Sequence, residues 1–371
     1  MHNIETPALL LDRAKLDRNL ARMRAQVTRL GAHLRPHVKT AKSLDVVRRV
    51  VAPGAGGITV STLKEAEQFF AAGYRDILYA VGIAPNKLAH VAALRAQGCE
   101  LTIILDSVEA ARAVASHSRV AGAAFPALIE IDSDGHRAGV KPGDALLLDI
   151  GRTLGAHLRG VMTHAGGSYD CKSAAEIRAM AGRERAAVVH CAEALRDAGL
   201  PCPVVSVGSS PTATYAESFA GVSEVRAGVY MFFDLFMAGL SVCTVDDIAL
   251  SVLTTVIGHQ PEKGWIISDA GWMALSRDRG TAAQKIDQGY GLVCDAQGRP
   301  IDGLIVAGAN QEHGIIAARD GSALDSARFP LGTLLRILPN HACATAAQHA
   351  GYQVVDEASQ IEAHWPRFSG W

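Results

Sequence analysis

The chain carries almost no net charge. Its 36 Lys and Arg against 37 Asp and Glu leave −1 at neutral pH, so neither nucleic acid nor an anionic membrane is an expected partner. No uninterrupted apolar run reaches the length of a membrane span. Residues Met1 to Asp12 lack a basic patch followed by an apolar stretch, and no cleaved leader is expected. The seven cysteines, at 99, 171, 191, 202, 243, 294 and 343, are odd in number and irregularly spaced. That pattern predicts reduced thiols in a cytoplasm rather than a disulfide framework. What is present is 371 residues, 49% hydrophobic and 20% charged. This suits a soluble protein with one large domain and a smaller one.

From about residue 10 to 235, helical patterns alternate with short apolar runs. The runs are 32–38, 58–60, 77–81, 101–105, 127–131, 158–163, 204–207 and 224–226. Such alternation implies parallel strands with crossover helices, and eight units match a (β/α)8 TIM-type barrel. An open doubly wound sheet is the alternative. After about 240 the texture becomes β-rich, with turn-formers such as Asp302-Gly303 between runs. The expected organisation is therefore a barrel over 8–240 and a mainly antiparallel β domain over 241–371, which residues 1–7 could join.

In a parallel barrel the loops that follow the strands build the reactive mouth. Several expected strand ends here carry polar or glycine-rich segments. Lys39 follows the first run in Arg35-Pro-His-Val-Lys-Thr40. With Arg35, His37 and Lys42 nearby and partial burial, its amine is expected to be biased toward a neutral nucleophile. Gly208-Ser-Ser-Pro-Thr212 follows the seventh run, and Gly228 follows the eighth. Loops at these places bind phosphate through backbone N–H groups, although Ser209, Ser210 and Thr212 would also serve as plain helix caps. A phosphate site with such a lysine suggests pyridoxal phosphate. Near the end, Pro339-Asn-His-Ala-Cys343 would place His341 and Cys343 on one face of a strand. A thiolate and an imidazole suit Zn²⁺, but spacing alone favours a buried cysteine and a hydrogen-bonded histidine.

Taken together, these segments resemble the fold-type III pyridoxal-phosphate family, in its branch of D-serine dehydratase, D-threo-3-hydroxyaspartate dehydratase and D-threonine aldolase. The resemblance also takes in Glu5-Thr-Pro7, Glu130-Ile-Asp132, His136-Arg137, Thr163-His164, Ser168-Tyr169, Asp269-Ala-Gly271 and Glu312-His-Gly314. It implies an alanine-racemase-type barrel followed by a β domain. It makes Lys39 the lysine that carries pyridoxal 5'-phosphate as an imine. Arg137 would contact the phenolic oxygen or the lysine's surroundings, and His164 and Tyr169 would line the ring. Gly208, Ser209, Ser210, Thr212, Gly228 and Tyr230 would hold the phosphate, with Arg226 toward the pyridine nitrogen. His341 and Cys343 would ligate Zn²⁺ or another divalent cation. The segment Gly166-Gly167-Ser168 departs from relatives that carry histidine before the serine, which leaves the wall beside the ring open.

The activity implied is elimination of water from a D-3-hydroxy amino acid, giving a 2-oxo acid and ammonia, by a homodimer. The substrate would be D-serine, D-threonine or D-threo-3-hydroxyaspartate. The alternatives are a metal-dependent aldolase that releases glycine and an aldehyde, or a non-catalytic carrier of the cofactor.

Overall fold

The computed structural model describes residues 4–371. Of the N-terminal segment 1–7, residues 1–3 lie outside the described residues. The chain forms two compact units. One contains residues 22–228 with 369–371, and the other contains 4–21 with 229–368.

Strand β1 (Ala8–Asp12) and helix α1 (Arg13–Arg29) come first. The remaining strands of the first half are β2 (His33–Leu34), β3 (Ile58–Val60), β4 (Asp76–Gly82), β5 (Glu100–Leu105), β6 (Ala127–Ile131), β7 (Leu158–Thr163), β8 (Val204–Val207) and β9 (Glu224–Val225). Among the described residues, β2 to β9 form one parallel sheet in the order β2-β9-β8-β7-β6-β5-β4-β3. A parallel bridge between His37 and Thr59 joins its two ends. Val38 N donates to Thr59 O at 2.9 Å and Thr59 N donates to Pro36 O at 2.8 Å. The expected eight-unit barrel is present. Its first strand is shorter than the run 32–38, because Pro36 has no N–H for a ladder.

Local chemistry explains the strand-to-helix turns. Ser107, Ser173 and Ser209 accept backbone N–H bonds from Ala110, Glu176 and Thr212, capping the helices that follow β5, β7 and β8. Inside the barrel, Leu78, Ile104, Leu128 and Met162 pack into one apolar layer, with Ala80 and Val204 against it. These residues come from strands β4 to β8 at alternating positions, as the period-two rule requires. The layer separates the mouth from the opposite end.

The other unit is built on β10 (Leu250–Gln260), β11 (Trp265–Ser268), β12 (Leu292–Cys294), β13 (Pro300–Ala309), β14 (Gly314–Ala318), β15 (Leu334–Leu338), β16 (Gly351–Val355) and β17 (Ile361–Pro366). With β1 they make a sheet in the order β11-β14-β13-β12-β15-β10-β1-β16-β17, and β11 also pairs with β10. Pairing is antiparallel except between β1 and β16. Leu10 of β1 packs with Leu253 and Val355. Among the described residues no helix is long and apolar enough to cross a membrane.

Because Leu128 is buried within the barrel layer, Leu128→Ala is expected to lower unfolding stability by about 2–5 kcal/mol. Urea denaturation, read at its midpoint and slope, checks this.

Candidate active site

Lys39 stands at the mouth of the barrel, exposed between buried Val38 and Thr40. The expectation of partial burial among crowding cations is corrected by what those cations do. Arg35 is forked on Asp76 at 2.9 and 2.8 Å and bonds Glu224 at 2.7 Å. Lys42 pairs with Glu65 at 3.3 Å. Each is neutralised by a carboxylate. His37 differs, since burial and then the charges of Lys39 and Arg226 hold its imidazole well below the ordinary histidine value. Its Nδ1 is buried without a hydrogen-bond partner.

The loops after β7 and β8 are tied together. His164 Nδ1 meets the Gly208 carbonyl at 2.7 Å, so a proton on that nitrogen would be donated to it. Burial, with Lys39, Arg137 and Arg226 near, pushes the His164 pKa down to about 3. Its ring centroid lies 6.1 Å from that of Tyr169. Ser168 Oγ lies 2.9 Å from Ser209 Oγ, which lies 3.0 Å from Thr212 Oγ1. Ser209 and Thr212 form a reciprocal capping box, so both hydroxyls already have partners. Ser210 is buried at the first position of the short helix Ser210–Tyr215. Gly208 has φ +144°, and a Cβ there would fall 1.8 Å from Arg226 O. A Cβ on Gly228 would fall 2.8 Å from His37 O. Tyr230, in the turn Val229–Met231, is fully buried and belongs to the other unit.

Arg226 is 4% exposed. Its guanidinium donates to Ser206 Oγ and to Thr163 O. Burial lowers its pKa, opposed by Glu224, Glu184 and Glu130. Arg137 is exposed and pairs with Glu130 at 3.3 Å. At the wall left open by the sequence, Gly166 is covered by His136, whose Cδ2 would lie 2.2 Å from a Cβ there. Gly167 N donates to Asp134 at 2.8 Å.

In the other unit, His341 and Cys343 are not on a strand. β15 ends at Leu338, His341 is the N-cap of the short helix Ala342–Ala346, and Cys343 lies in its first turn. Asn340 terminates the strand geometry, giving its side-chain amide to Asp278 O and Gly289 O at 3.2 and 2.6 Å. The two reactive side chains are nonetheless brought together. Burial works against protonation of His341, but Asp278 and Cys343, both hydrogen-bonded to it, raise its pKa to about 11. The Nδ1–Asp278 Oδ2 distance is 2.7 Å. Buried Asp234 accepts the Ala342 and Met237 N–H groups at 2.9 Å each. Among the described residues, no cluster of three or more His, Cys, Asp or Glu is placed to hold a metal.

Residues 11–235 match the family described as alanine racemase, N-terminal domain, and 249–355 match the putative serine dehydratase domain. The chain belongs to the alanine-racemase-type, pyridoxal-phosphate-dependent family. It is 59% identical to D-threo-3-hydroxyaspartate dehydratase of Delftia sp. (strain HT23), covering 99% of this chain and 98% of that one. D-serine dehydratase of Dictyostelium discoideum is 29% identical, over 98% of each chain. D-threonine aldolase of Arthrobacter sp. is 29% identical, over 98% and 92%. The solved structure of the Delftia dehydratase superposes with TM-score 0.98, at 58% identity, over 100% of this chain and 99% of that one. A cysteine-to-alanine mutant of that dehydratase is described as a metal-free form.

The residues present fit the cofactor of this alanine-racemase-type family. An accessible amine lies near enough to the buried His37 ring, whose Nδ1 is orphaned, to act on it electrostatically, while Gly208 and Gly228 are required by the Arg226 and His37 carbonyls beside them. A cation also fits the second cluster: a cysteine hydrogen-bonded to a histidine, with a carboxylate on that histidine's Nδ1, is chemistry in which a metal replaces the shared proton. The sequence reading missed Glu184, on the helix Ala174–Asp197. It is fully buried and accepts from Ala165 N at 3.1 Å and Gly208 N at 3.0 Å. It also missed Asp278 and Asp234. Only a carboxylate on an otherwise buried helix face hinted at Glu184.

Glu184→Ala leaves the Ala165 and Gly208 N–H groups without their acceptor. It is expected to cost about 1–3 kcal/mol for each donor, while Glu184→Gln, which retains an oxygen acceptor, costs less; thermal midpoints of the two variants check this. His164 is expected to stay neutral in the cofactor-free protein from pH 8 to about 3. The unfolded chain protonates near an ordinary ~6.5, so the stability from the neutral ring is complete above that value and is lost as pH falls from there through about 3. Nitrogen-detected NMR of the imidazole reads its state directly.

Proposed function

We propose that this chain is a pyridoxal-phosphate- and divalent-cation-dependent dehydratase that removes water from D-threo-3-hydroxyaspartate, giving a 2-oxo acid and ammonia. The observation that carries this reading is 59% identity, across 99% of the chain, to a dehydratase of that name. Lys39 would carry the cofactor, and its freed amine would take the α-proton. The cofactor, when bound, supplies the electron sink. Gly208, Ser209, Ser210, Thr212 and Gly228, with Tyr230, would form the phosphate-holding loop, within which Gly208 N is held by Glu184 and the Ser209 and Thr212 N–H groups by the capping box. His164 and Tyr169 would flank the ring, Arg226 would face its nitrogen, and Arg137 would lie toward the phenolic oxygen.

His341 and Cys343 would supply two ligands to a cation, leaving positions for substrate and water. A thiolate with an imidazole favours zinc over harder cations. The cation's contribution is Lewis acidity toward the β-hydroxyl, which otherwise leaves poorly. Asp278 would orient His341. A homodimer in a reducing cytoplasm completes the reading, in keeping with seven cysteines that form no disulfide. Retro-aldol cleavage is the second reading, supported by the 29% identity to a D-threonine aldolase.

Treatment with a chelator is expected to reduce turnover of D-threo-3-hydroxyaspartate by ~10²-fold or more, since Lewis-acid assistance is worth several kcal/mol. The bound cofactor's visible absorption should persist, and added Zn²⁺ should restore turnover. Cys343→Ala should behave like the chelated protein. Full turnover after thorough metal removal would reject the cation's role. Glycine and glyoxylate, in place of oxaloacetate and ammonia, would establish the aldol reading.

A further inference from the structure

The end of the barrel opposite the mouth contains a cavity of about 380 Å³. Residues that begin strands line it, among them Asp76, Glu100, Val204 and Glu224. One wall is apolar, made by Leu78, Pro126, Leu128 and Val204. The polar wall carries three arginines, and they are not equivalent. Arg35 is fully engaged by Asp76 and Glu224. Arg95 and Arg159 have no ion-pair partner among the described residues. Arg95 Nη1 donates to Leu101 O at 2.9 Å, while its Nε is buried without a partner. Arg159 Nη1 donates to Ala156 O and Leu158 O at 2.9 and 3.0 Å. Glu100 lines the same cavity and forms no ion pair with either, although its charge acts on Arg95. Burial holds the Arg95 guanidinium below its ordinary value, with Arg159 adding to that and Cys99 and Glu100 opposing it.

Two guanidinium groups sharing a half-buried wall repel each other, and a carboxylate forked onto both would offset that more fully than Glu100, which is ion-paired with neither. A carboxylate matches the guanidinium fork and satisfies several donors at once. A bare oxyanion would leave the apolar wall facing water, and the cavity is roughly tenfold larger than one water's ~30 Å³ share of liquid volume. We propose that Arg95 and Arg159 bind the carboxylate of a short-chain organic acid, whose carbon chain packs on Leu78, Pro126, Leu128 and Val204. This site is independent of the proposed reaction, since it lies at the other end of the barrel from Lys39.

Calorimetric titration of succinate into the cofactor-loaded protein tests the site. Saturable binding is expected, weakened about tenfold or more by Arg95→Gln and by Arg159→Gln, as befits loss of hydrogen bonds to a charged group. Arg159→Lys, which keeps the charge and loses the fork, should fall between. Both glutamine variants should retain the turnover of the parent. Inorganic phosphate should bind more weakly than succinate. The proposal is overturned if succinate does not bind saturably, or if it binds competitively with substrate and indifferently to both arginine substitutions. Phosphate binding as tight as succinate would overturn the assignment to an organic acid.

Discussion

The interaction on which the barrel depends is the burial of Arg226. A guanidinium that is 4% exposed must be compensated, because a buried charge without partners costs several kcal/mol. The compensation is distributed. Glu224, Glu184 and Glu130 each act on Arg226 electrostatically, from β9, the helix after β7 and β6. Ser206 Oγ takes one guanidinium nitrogen and donates to Glu224 Oε1 at 2.7 Å. The other Glu224 oxygen holds Arg35, which in turn holds Asp76. One chain of alternating charge thus runs from the mouth to the opposite end. Removing a single member would weaken the compensation of its neighbours, and networks satisfied in this way specify one arrangement.

Glu184 shows how the network reaches the reactive loops. Its carboxylate joins Gly208 N to Ala165 N, so the loop after β8 and the loop after β7 are positioned by one side chain. His164 lies beside Ala165 and contacts the Gly208 carbonyl. A rigid scaffold of this kind is what a binding constellation requires.

Much of this was legible in the sequence, and what was not has a physical reason. The run 127–131 and the run 158–163 were read to the residue, because each is apolar, buried and bounded by turn-formers. β1 and β17 went unread as strands. The partners of β1, namely β10 and β16, are distant in sequence, while β17 pairs with the neighbouring β16 but is a largely exposed Ile-Glu-Ala-His-Trp-Pro segment with no apolar run to mark it. Lys39, His341 and Cys343 were singled out because motif order can be read without geometry. Glu184, Asp234 and Asp278 were not, since a buried carboxylate declares itself through its partners. The His-x-Cys spacing was assigned to the wrong element. A strand and a helix start can both bring such a pair together, so the juxtaposition survived the error.

The protonation states around the mouth narrow the assignment of proton transfer. The His164 pKa is pushed down to about 3, and His37 lies well below the ordinary range, so neither ring is an imidazolium acid at neutral pH. Glu130 is buried, with its carboxyl raised by that burial, and is paired with Arg137. Arg226 is tied to Ser206 and Thr163, and a guanidinium does not deprotonate in this range. Two neutral rings beside one accessible amine make a site in which the amine can exchange a proton without a competing acid. The same two rings, held neutral, impose no positive charge that would repel the cation that remains on Lys39 after it accepts a proton. Under the proposed function the α-proton would pass to Lys39, since neither imidazole beside it is a charged competitor, whichever bond breaks afterwards.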